Sequence, residues 1–174
     1  GTSNFRAGVN AGNSIASGGN FNTVVGDETG TAITTGDNNT FFGYASGDAL
    51  DTASNNTAIG HNALTADTKG SNSVAIGKGT LANQNFTSAT DSYNVAVGAS
   101  AGNDITTGKN NTIIGGLAGD AITTGSENVA LGRSALSADT LGAHSVAVGF
   151  QALATQNFTS ATDVYNVARS EERR

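Results

Sequence analysis

A short apolar motif recurs along the whole chain and ends each time in glycine. An Asn or Ser is followed by three mostly apolar residues and then Gly, as in Asn94-Val95-Ala96-Val97-Gly98. These marker glycines, called position 0 from here on, are 17 or 18 residues apart with one step of 21, at Gly8, Gly26, Gly43, Gly60, Gly77, Gly98, Gly115, Gly132 and Gly149. A sustained period of this length is typical of proteins built from stacked coils.

The motif has the pattern of a short β-strand. Residues at −3 and −1 share one face of an extended segment, and the residue at −2 points to the other. Val, Ile and Thr predominate at −3 and −1, which favours a pleated strand. Glycine interrupts every segment and no apolar stripe with a 3.6-residue period persists, so helices are not expected.

Position −2 is also mostly apolar, which is typical of a strand buried on both faces. One face can pack inside the coil, and the other needs a cover, which a second copy of a thin coil supplies most easily. Because many −2 residues are alanines, they would let two backbones approach closely. We therefore predict that the chain–chain interface consists of Val24, Phe41, Ala58, Ala75, Ala96, Ile113, Ala130 and Ala147.

A second segment follows each marker glycine in one of two forms. Position +4 is either Leu, as in Leu64, or Gly, and in the second form the next aliphatic residue moves to +7, as in Ile105. Thr-Thr-Gly closes three coils, and glycine at repeated corners suits a positive φ. The Asn or Ser at −4 would stack from coil to coil as an amide ladder that satisfies backbone groups.

The coils are themselves grouped into a larger sequence repeat. Three steps of 17 and one of 21 make a unit of 72 residues, and residues 84–93 recur almost unchanged at 156–165. The sequence predicts one all-β repeat domain at 4–168, a parallel β-solenoid of about nine coils, with two such units at 26–97 and 98–168. Residues 1–3 and 169–174 depart from the pattern and resemble cloning remnants.

Two known families share these motifs. Asn72-Ser73-Val74-Ala75-Ile76-Gly77 and His144-Ser145-Val146-Ala147-Val148-Gly149 resemble the head repeats of YadA-like trimeric autotransporter adhesins. The units that end in Thr-Thr-Gly, such as 111–125, resemble repeats of phage and viral tail-fibre proteins. The first resemblance implies a left-handed β-roll, a homotrimer and attachment at a cell or host surface. The second implies a tail-fibre shaft or receptor-binding segment on a virion. The coils are longer than the usual YadA-type unit, and the adhesins' neck, stalk and anchor are missing.

Composition narrows the function classes. The chain of 174 residues has 24 Gly, no Cys and a net charge of −6, with only eight Lys and Arg. The lack of Cys excludes disulfides and thiolate metal sites. No basic stripe is present, so nucleic acid is not an expected partner. No apolar run approaches the roughly 20 residues of a membrane span.

The polar residues do not form a recognisable catalytic or cofactor-binding motif. His61 and His144 occupy different repeat positions and are expected at the surface without a metal. Recurring acidic residues could bind Ca²⁺ but fit a solvated face better: Asp48, Asp67, Asp104, Asp120 and Asp139. A Thr row at −3 raises a remote ice-binding alternative, although its phase places it in the interior. We expect a non-enzymatic fibre protein with no cofactor.

Aromatic residues mark the 21-residue coils. Exposed aromatics there could anchor a glycan or a host-surface protein, and the alternative is that they fold back and cap the wider coil. These candidates are Phe86, Tyr93, Phe158 and Tyr165.

Overall fold

The computed structural model describes residues 3–16 and 18–170, and within these ranges it contains fourteen short strands and no helix. Ten strands have three residues each and are β1 (Phe5–Ala7), β2 (Thr23–Val25), β3 (Thr40–Phe42), β4 (Thr57–Ile59), β6 (Val74–Ile76), β8 (Val95–Val97), β9 (Thr112–Ile114), β10 (Val129–Leu131), β12 (Val146–Val148) and β14 (Val167–Arg169). Four have two residues and are β5 (Gly70–Ser71), β7 (Thr90–Asp91), β11 (Gly142–Ala143) and β13 (Thr162–Asp163).

The ten longer strands form one parallel sheet in chain order. Each motif lies in register on the next, so that Ala96 is level with Ala75 on one side and Ile113 on the other. At about 4.8 Å per step, ten strands span roughly 43 Å. The all-β parallel solenoid is thus confirmed, with about ten turns where the sequence predicted about nine. Residues 1–2 and 171–174, in the proposed remnants, lie outside the described ranges, whereas Arg169 belongs to β14.

The marker glycines sit where the chain leaves the sheet, and all nine have positive φ, as expected. A Cβ at Gly115 would lie 2.6 Å from the carbonyl oxygen of Gly132, directly above it in the stack. The prediction of a positive φ at the Thr-Thr-Gly corners is wrong, because Gly36, Gly108 and Gly125 do not have it. A Cβ at Gly108 would lie 2.3 Å from the oxygen of Gly125, so close stacking of backbones excludes side chains there.

The predicted assignment of the two strand faces is wrong. All eight residues predicted at the chain–chain interface are completely buried inside a single chain: Val24, Phe41, Ala58, Ala75, Ala96, Ile113, Ala130 and Ala147. Positions −3 and −1 instead point outward, including the threonines Thr23, Thr40 and Thr57 that were expected in the interior. The physical reason is volume, because a coil this thin has room for only one strand face.

Position −2 meets position +4 across the coil interior, and their sizes compensate. Where +4 is Gly, −2 is often large, and the Phe41 ring occupies the space that a Cβ on Gly47 would need. Where +4 is Leu, −2 is Ala, as in the coil of Ala58 and Leu64, both completely buried. The two forms of the coil are therefore two ways to fill one volume at close packing.

The amide ladder at −4 is confirmed. In one segment, Asn111 donates its backbone N–H to Asn94 Oδ1 at 2.9 Å and its Nδ2 to the Gly125 oxygen at 3.0 Å. Its own Oδ1 accepts the N–H of Asn128 at 3.0 Å. All three amides are completely buried. The Asn111 side chain thus satisfies two backbone groups of the following coil that water cannot reach, and the Asn94 side chain of the preceding coil satisfies the backbone N–H of Asn111.

Candidate interaction surface

The outward side of the ten-stranded sheet is a regular, mostly apolar surface. We call the residues at −3 and −1 of these strands the lateral face. From β2 to β12 it contains Thr, Val, Ile, Leu and Phe and no charged residue. Two rows about 6.8 Å apart along the roughly 34 Å from β2 to β12 give a strip of roughly 230 Å².

Several large side chains on the lateral face are well exposed in the single chain. Phe42 is 55% exposed and Leu131 is 43% exposed, and Ile59, Ile114 and Val148 are also exposed. Single exposed apolar residues are ordinary, but an uncharged strip with large side chains exposed on five of its strands is a candidate interaction surface. The lateral face therefore has the character that the sequence analysis assigned to position −2.

The four aromatic candidates of the 21-residue coils differ in exposure, and both predicted roles, exposed anchor and cap of the coil, occur among them. Phe86 is buried and folds back against the coil, whereas Tyr93 is 55% exposed. In the second copy Phe158 is half-buried and Tyr165 is exposed. The added residues run past the short pairs β5–β7 and β11–β13, and 87–89 are exposed. The tyrosines are thus available for contact, and Phe86 serves as a cap.

A polar network that joins the first 21-residue coil to the coil before it was not foreseen from the sequence. Asp67 is completely buried, and its Oδ1 accepts the N–H groups of Gly70 and Phe86, each at 3.0 Å. Its Oδ2 accepts Gln84 Nε2 at 2.6 Å. Gln84 Nε2 also donates to Ser73 Oγ at 2.9 Å, and Gln84 Oε1 accepts Asn94 Nδ2 at 2.8 Å. Gln84 thereby bridges the place where Ser interrupts the amide ladder.

The same network recurs 72 residues later. Gln156 Nε2 donates to Asp139 Oδ2 at 2.7 Å and to Ser145 Oγ at 3.1 Å, and Asn166 donates to its Oε1. Asp67 and Asp139 were expected on a solvated face, and both are completely buried. They hold the widened coil closed, and a sequence signal existed: polar Asp and Gln at +7 wherever +4 is Leu.

Asp67 makes the stability of the fold depend on pH. Burial raises the pKa of this carboxyl above its usual value of 3.8, more than its hydrogen bonds lower it. Between 3.8 and the raised value the folded chain binds more protons than the unfolded chain, so stability falls as pH rises. In Asp67→Asn the side-chain NH₂ would face Gln84 Nε2, so two donors would oppose each other and the variant would be less stable than wild type. The Asn side chain does not titrate, so this loss does not itself vary with pH. We expect the wild-type advantage over Asp67→Asn, measured by urea unfolding from pH 3 to pH 7, to shrink with rising pH.

A measurement at high salt distinguishes burial of the Asp67 carboxyl from interactions between surface charges as the cause of the pH dependence. Desolvation of a buried carboxyl is nearly insensitive to ionic strength, whereas interactions between exposed charges are screened over about 3 Å at 1 M salt. The trend should therefore persist in 1 M NaCl. A wild-type advantage that grows with pH would contradict the assignment.

His144 lies in a charged cluster whose residues differ from those at the equivalent positions of the first 72-residue unit. Glu127 Oε2 lies 3.1 Å from its Nε2, Asp163 Oδ1 lies 3.2 Å from its Nδ1 without forming a hydrogen bond, and Tyr165 stacks on the ring at 4.8 Å. The first 72-residue unit has Asn55, Asn72 and Asp91 at the positions of Glu127, His144 and Asp163. The two carboxylates contact different ring nitrogens, so they do not converge on one point where a metal could bind.

The other polar candidates do not assemble into a catalytic or metal centre. His61 is exposed and stacks on Tyr44 at 5.3 Å. Asp48 accepts Thr65 Oγ1 at 2.6 Å. Asp120 is half-buried, and burial with the nearby Asp104 charge raises the pKa of its carboxyl. Within 3–16 and 18–170 no three His or acidic side chains are grouped to hold a metal ion.

Comparisons with protein-family models, curated proteins and solved structures find no match to this chain. Among the residues that the structure describes, no helix could cross a membrane.

Proposed function

We propose that this chain is a rigid, non-enzymatic segment of a trimeric surface fibre, in which the lateral faces of three copies pack together. In this proposal the coil is left-handed, and the fibre attaches to a cell or host surface as a bacterial adhesin head does. The observation that carries the proposal is the lateral face, which has no charged residue from β2 to β12. Its Phe, Ile, Leu and Val side chains remain in water in a single chain.

Three physical arguments support association through this face. Each coil buries few aliphatic side chains, so lateral packing adds apolar burial that a slender stack lacks. Thr and β-branched residues give a regular surface that a second sheet can meet at about 10 Å. The rest of the chain supplies solubility through its net charge of −6.

The parent fibre has a second candidate within the same class. The units that end in Thr-Thr-Gly favour a shaft or receptor-binding segment of a phage or viral tail fibre equally well, because the lateral face would serve a trimeric shaft in the same way. Either setting places the segment outside the cell, on a bacterial surface or a virion. The sequence that flanks this segment in the parent protein distinguishes the two.

An ice-binding role has one observation in its favour, since Thr23, Thr40 and Thr57 form an outward row. The row gives way to Val74 and Val95, and Phe42 protrudes beside Thr40. A flat, evenly spaced threonine array is therefore absent from this face. A measurement of thermal hysteresis, which we expect to be nil, separates this alternative from the fibre.

Val97→Arg tests the proposed assembly. Val97 lies at the centre of the lateral face between Ile76 and Ile114. We expect wild type to have three times the chain mass of 17.2 kDa by light scattering. Val97→Arg should lower the assembly constant by at least about 100-fold, because each guanidinium would be buried without a partner at roughly 3 kcal/mol or more.

The matched control is Thr107→Arg, an exposed position outside the lateral face. It should leave the mass unchanged, and circular dichroism should show the β-signal in all three proteins. A wild-type chain that is folded and monomeric at micromolar concentration would overturn the proposed assembly.

A further inference from the structure

A notch interrupts the side of the stack formed by positions +1 to +6. At position +2 every coil has a left-handed residue, and all but one of these carry a side chain. The exception is Gly79, with φ of 63°. Its neighbours in the same row are Asn62 and Ser100, two coil steps or about 9.6 Å apart. The surface at Gly79 has an open depression of about 420 Å³, which we call the Gly79 notch.

The notch is lined by apolar surface, including Ala66 and Ala82, and by polar groups that other contacts hold in place. Asn103 Nδ2 donates to the Gly79 oxygen at 2.8 Å. Asn83 Nδ2 donates to Asp104 Oδ1 at 3.0 Å. His61 lines the edge with its ring backed by Tyr44. Amides, hydroxyls and an aromatic ring at the edge are the groups that hydrogen-bond and stack against a sugar ring.

Lys78 gives the notch its charge. This exposed side chain lines the notch and forms no ion pair with any residue of 3–16 or 18–170. It is one of only eight basic residues in a chain of net charge −6. The carboxylates of Asp48 and Asp104 lie beyond the opposite edge and accept hydrogen bonds from the lining residues Thr65 and Asn83. A cation at one edge and acceptors at the other suit a ligand with one carboxylate and several hydroxyls.

We infer that the Gly79 notch binds a carboxylate-bearing saccharide, with the acid on the Lys78 ammonium and the ring hydroxyls on the amides of Asn62, Asn83 and Asn103. This inference names a ligand for the proposed adhesive role and rests on it for its biological setting. None of the lining residues belongs to the lateral face, so the binding measurement does not depend on assembly.

The repeat itself supplies the matched variant. The residue 72 positions after Gly79 is Gln151, which has the same left-handed backbone with φ of 54°. A Cβ at Gly79 would meet nothing closer than Asn103 Nδ2 at 3.5 Å. Gly79→Gln should therefore place a long side chain across the notch without disturbing the coil, because Gln151 adopts the same backbone conformation.

The probes are methyl β-D-glucuronide and methyl β-D-glucoside, which differ in the carboxylate. Saturation-transfer NMR should show millimolar binding of the glucuronide and roughly tenfold weaker binding of the glucoside. Gly79→Gln should abolish binding of both. Lys78→Ala should lower the affinity for the glucuronide roughly tenfold and leave the affinity for the glucoside unchanged. Lys109→Ala, at an exposed lysine outside the notch, should change neither affinity.

Equal affinity for the two glycosides, unchanged binding to Gly79→Gln, or no transfer to either probe up to about 20 mM would overturn the inference. Light scattering on the same samples separates it from the proposed assembly. A monomer that binds the glucuronide supports the notch and contradicts the trimer, whereas a trimer without binding contradicts the notch alone. Circular dichroism checks that Gly79→Gln is folded, and Lys78→Ala provides the test if it is not.

Discussion

Gly115→Ala should destabilise the fold by about 4–6 kcal/mol, although it adds a single methyl group. The new Cβ would lie 2.6 Å from both the carbonyl carbon and oxygen of Gly132 and 2.9 Å from the nitrogen of Arg133. All three atoms are backbone, so no side chain can move aside, and the φ of 134° is strained for any residue with a Cβ. For a chain of this size we expect the melting temperature, followed by circular dichroism, to fall by about 10–20 °C.

The neighbouring residue is the control. A Cβ on Gly116 would meet only the Ala99 oxygen, at 3.8 Å, and Gly116 does not have positive φ. Gly116→Ala should therefore change stability by no more than about 1 kcal/mol in either direction. If both variants lost the same stability, the cause would be glycine content in general rather than the contact between stacked coils.

The coil architecture could be predicted because its signals are local and repeated. A period of 17 residues, β-branched residues at −3 and −1 and glycine at 0 describe a short strand followed by a tight corner. The amide ladder could be predicted for the same reason, since Asn39 and Asn56 recur at one phase and stack in register.

The direction of the strand faces could not be read from apolar character, because −2 and −1 are both mostly apolar and −3 is Val in about half of the coils and Thr in most of the others. The deciding information lay elsewhere in the coil, in the relation between −2 and +4. Phe41 faces Gly47, and Ala75 shares its coil with Leu81. This compensation of volumes within one chain shows that the two positions share an interior. A residue that contacts a separate chain would have no reason to vary with +4.

The buried polar groups were missed for a different reason. Asp67 and Gln84 look like surface residues in a Thr- and Asn-rich segment, and burial of a carboxyl normally costs too much to expect. Their position at +7, where other coils have Ile or Leu, was the available signal. The side chains of Asp67, Gln84 and Asn94 fit together because Ser73 is short. That fit depends on contacts between coils, which periodicity does not describe.

Ala96→Arg should prevent the chain from folding, whereas the same substitution one residue later should leave it folded. Ala96 is completely buried between Ala75 and Ile113, and the interior around it contains aliphatic side chains. A guanidinium there would be unpaired and without space, at a cost of about 5 kcal/mol or more, which is comparable with the whole stability of a domain. We expect far-UV circular dichroism without a native β-signal and complete exchange of backbone amides within minutes.

Val97→Arg is the matched comparison, because Val97 occupies the same strand with its side chain outward. It should retain the β-signal and slow amide exchange in β8 while losing assembly, so the two variants separate folding from association. A folded, monomeric Ala96→Arg protein would instead mean that position −2 faces the outside, and it would restore the interface that the sequence pattern alone had suggested. Unfolding of Ala96→Arg together with folded, dissociated Val97→Arg would place the interior and the contact surface on opposite faces of a single three-residue strand.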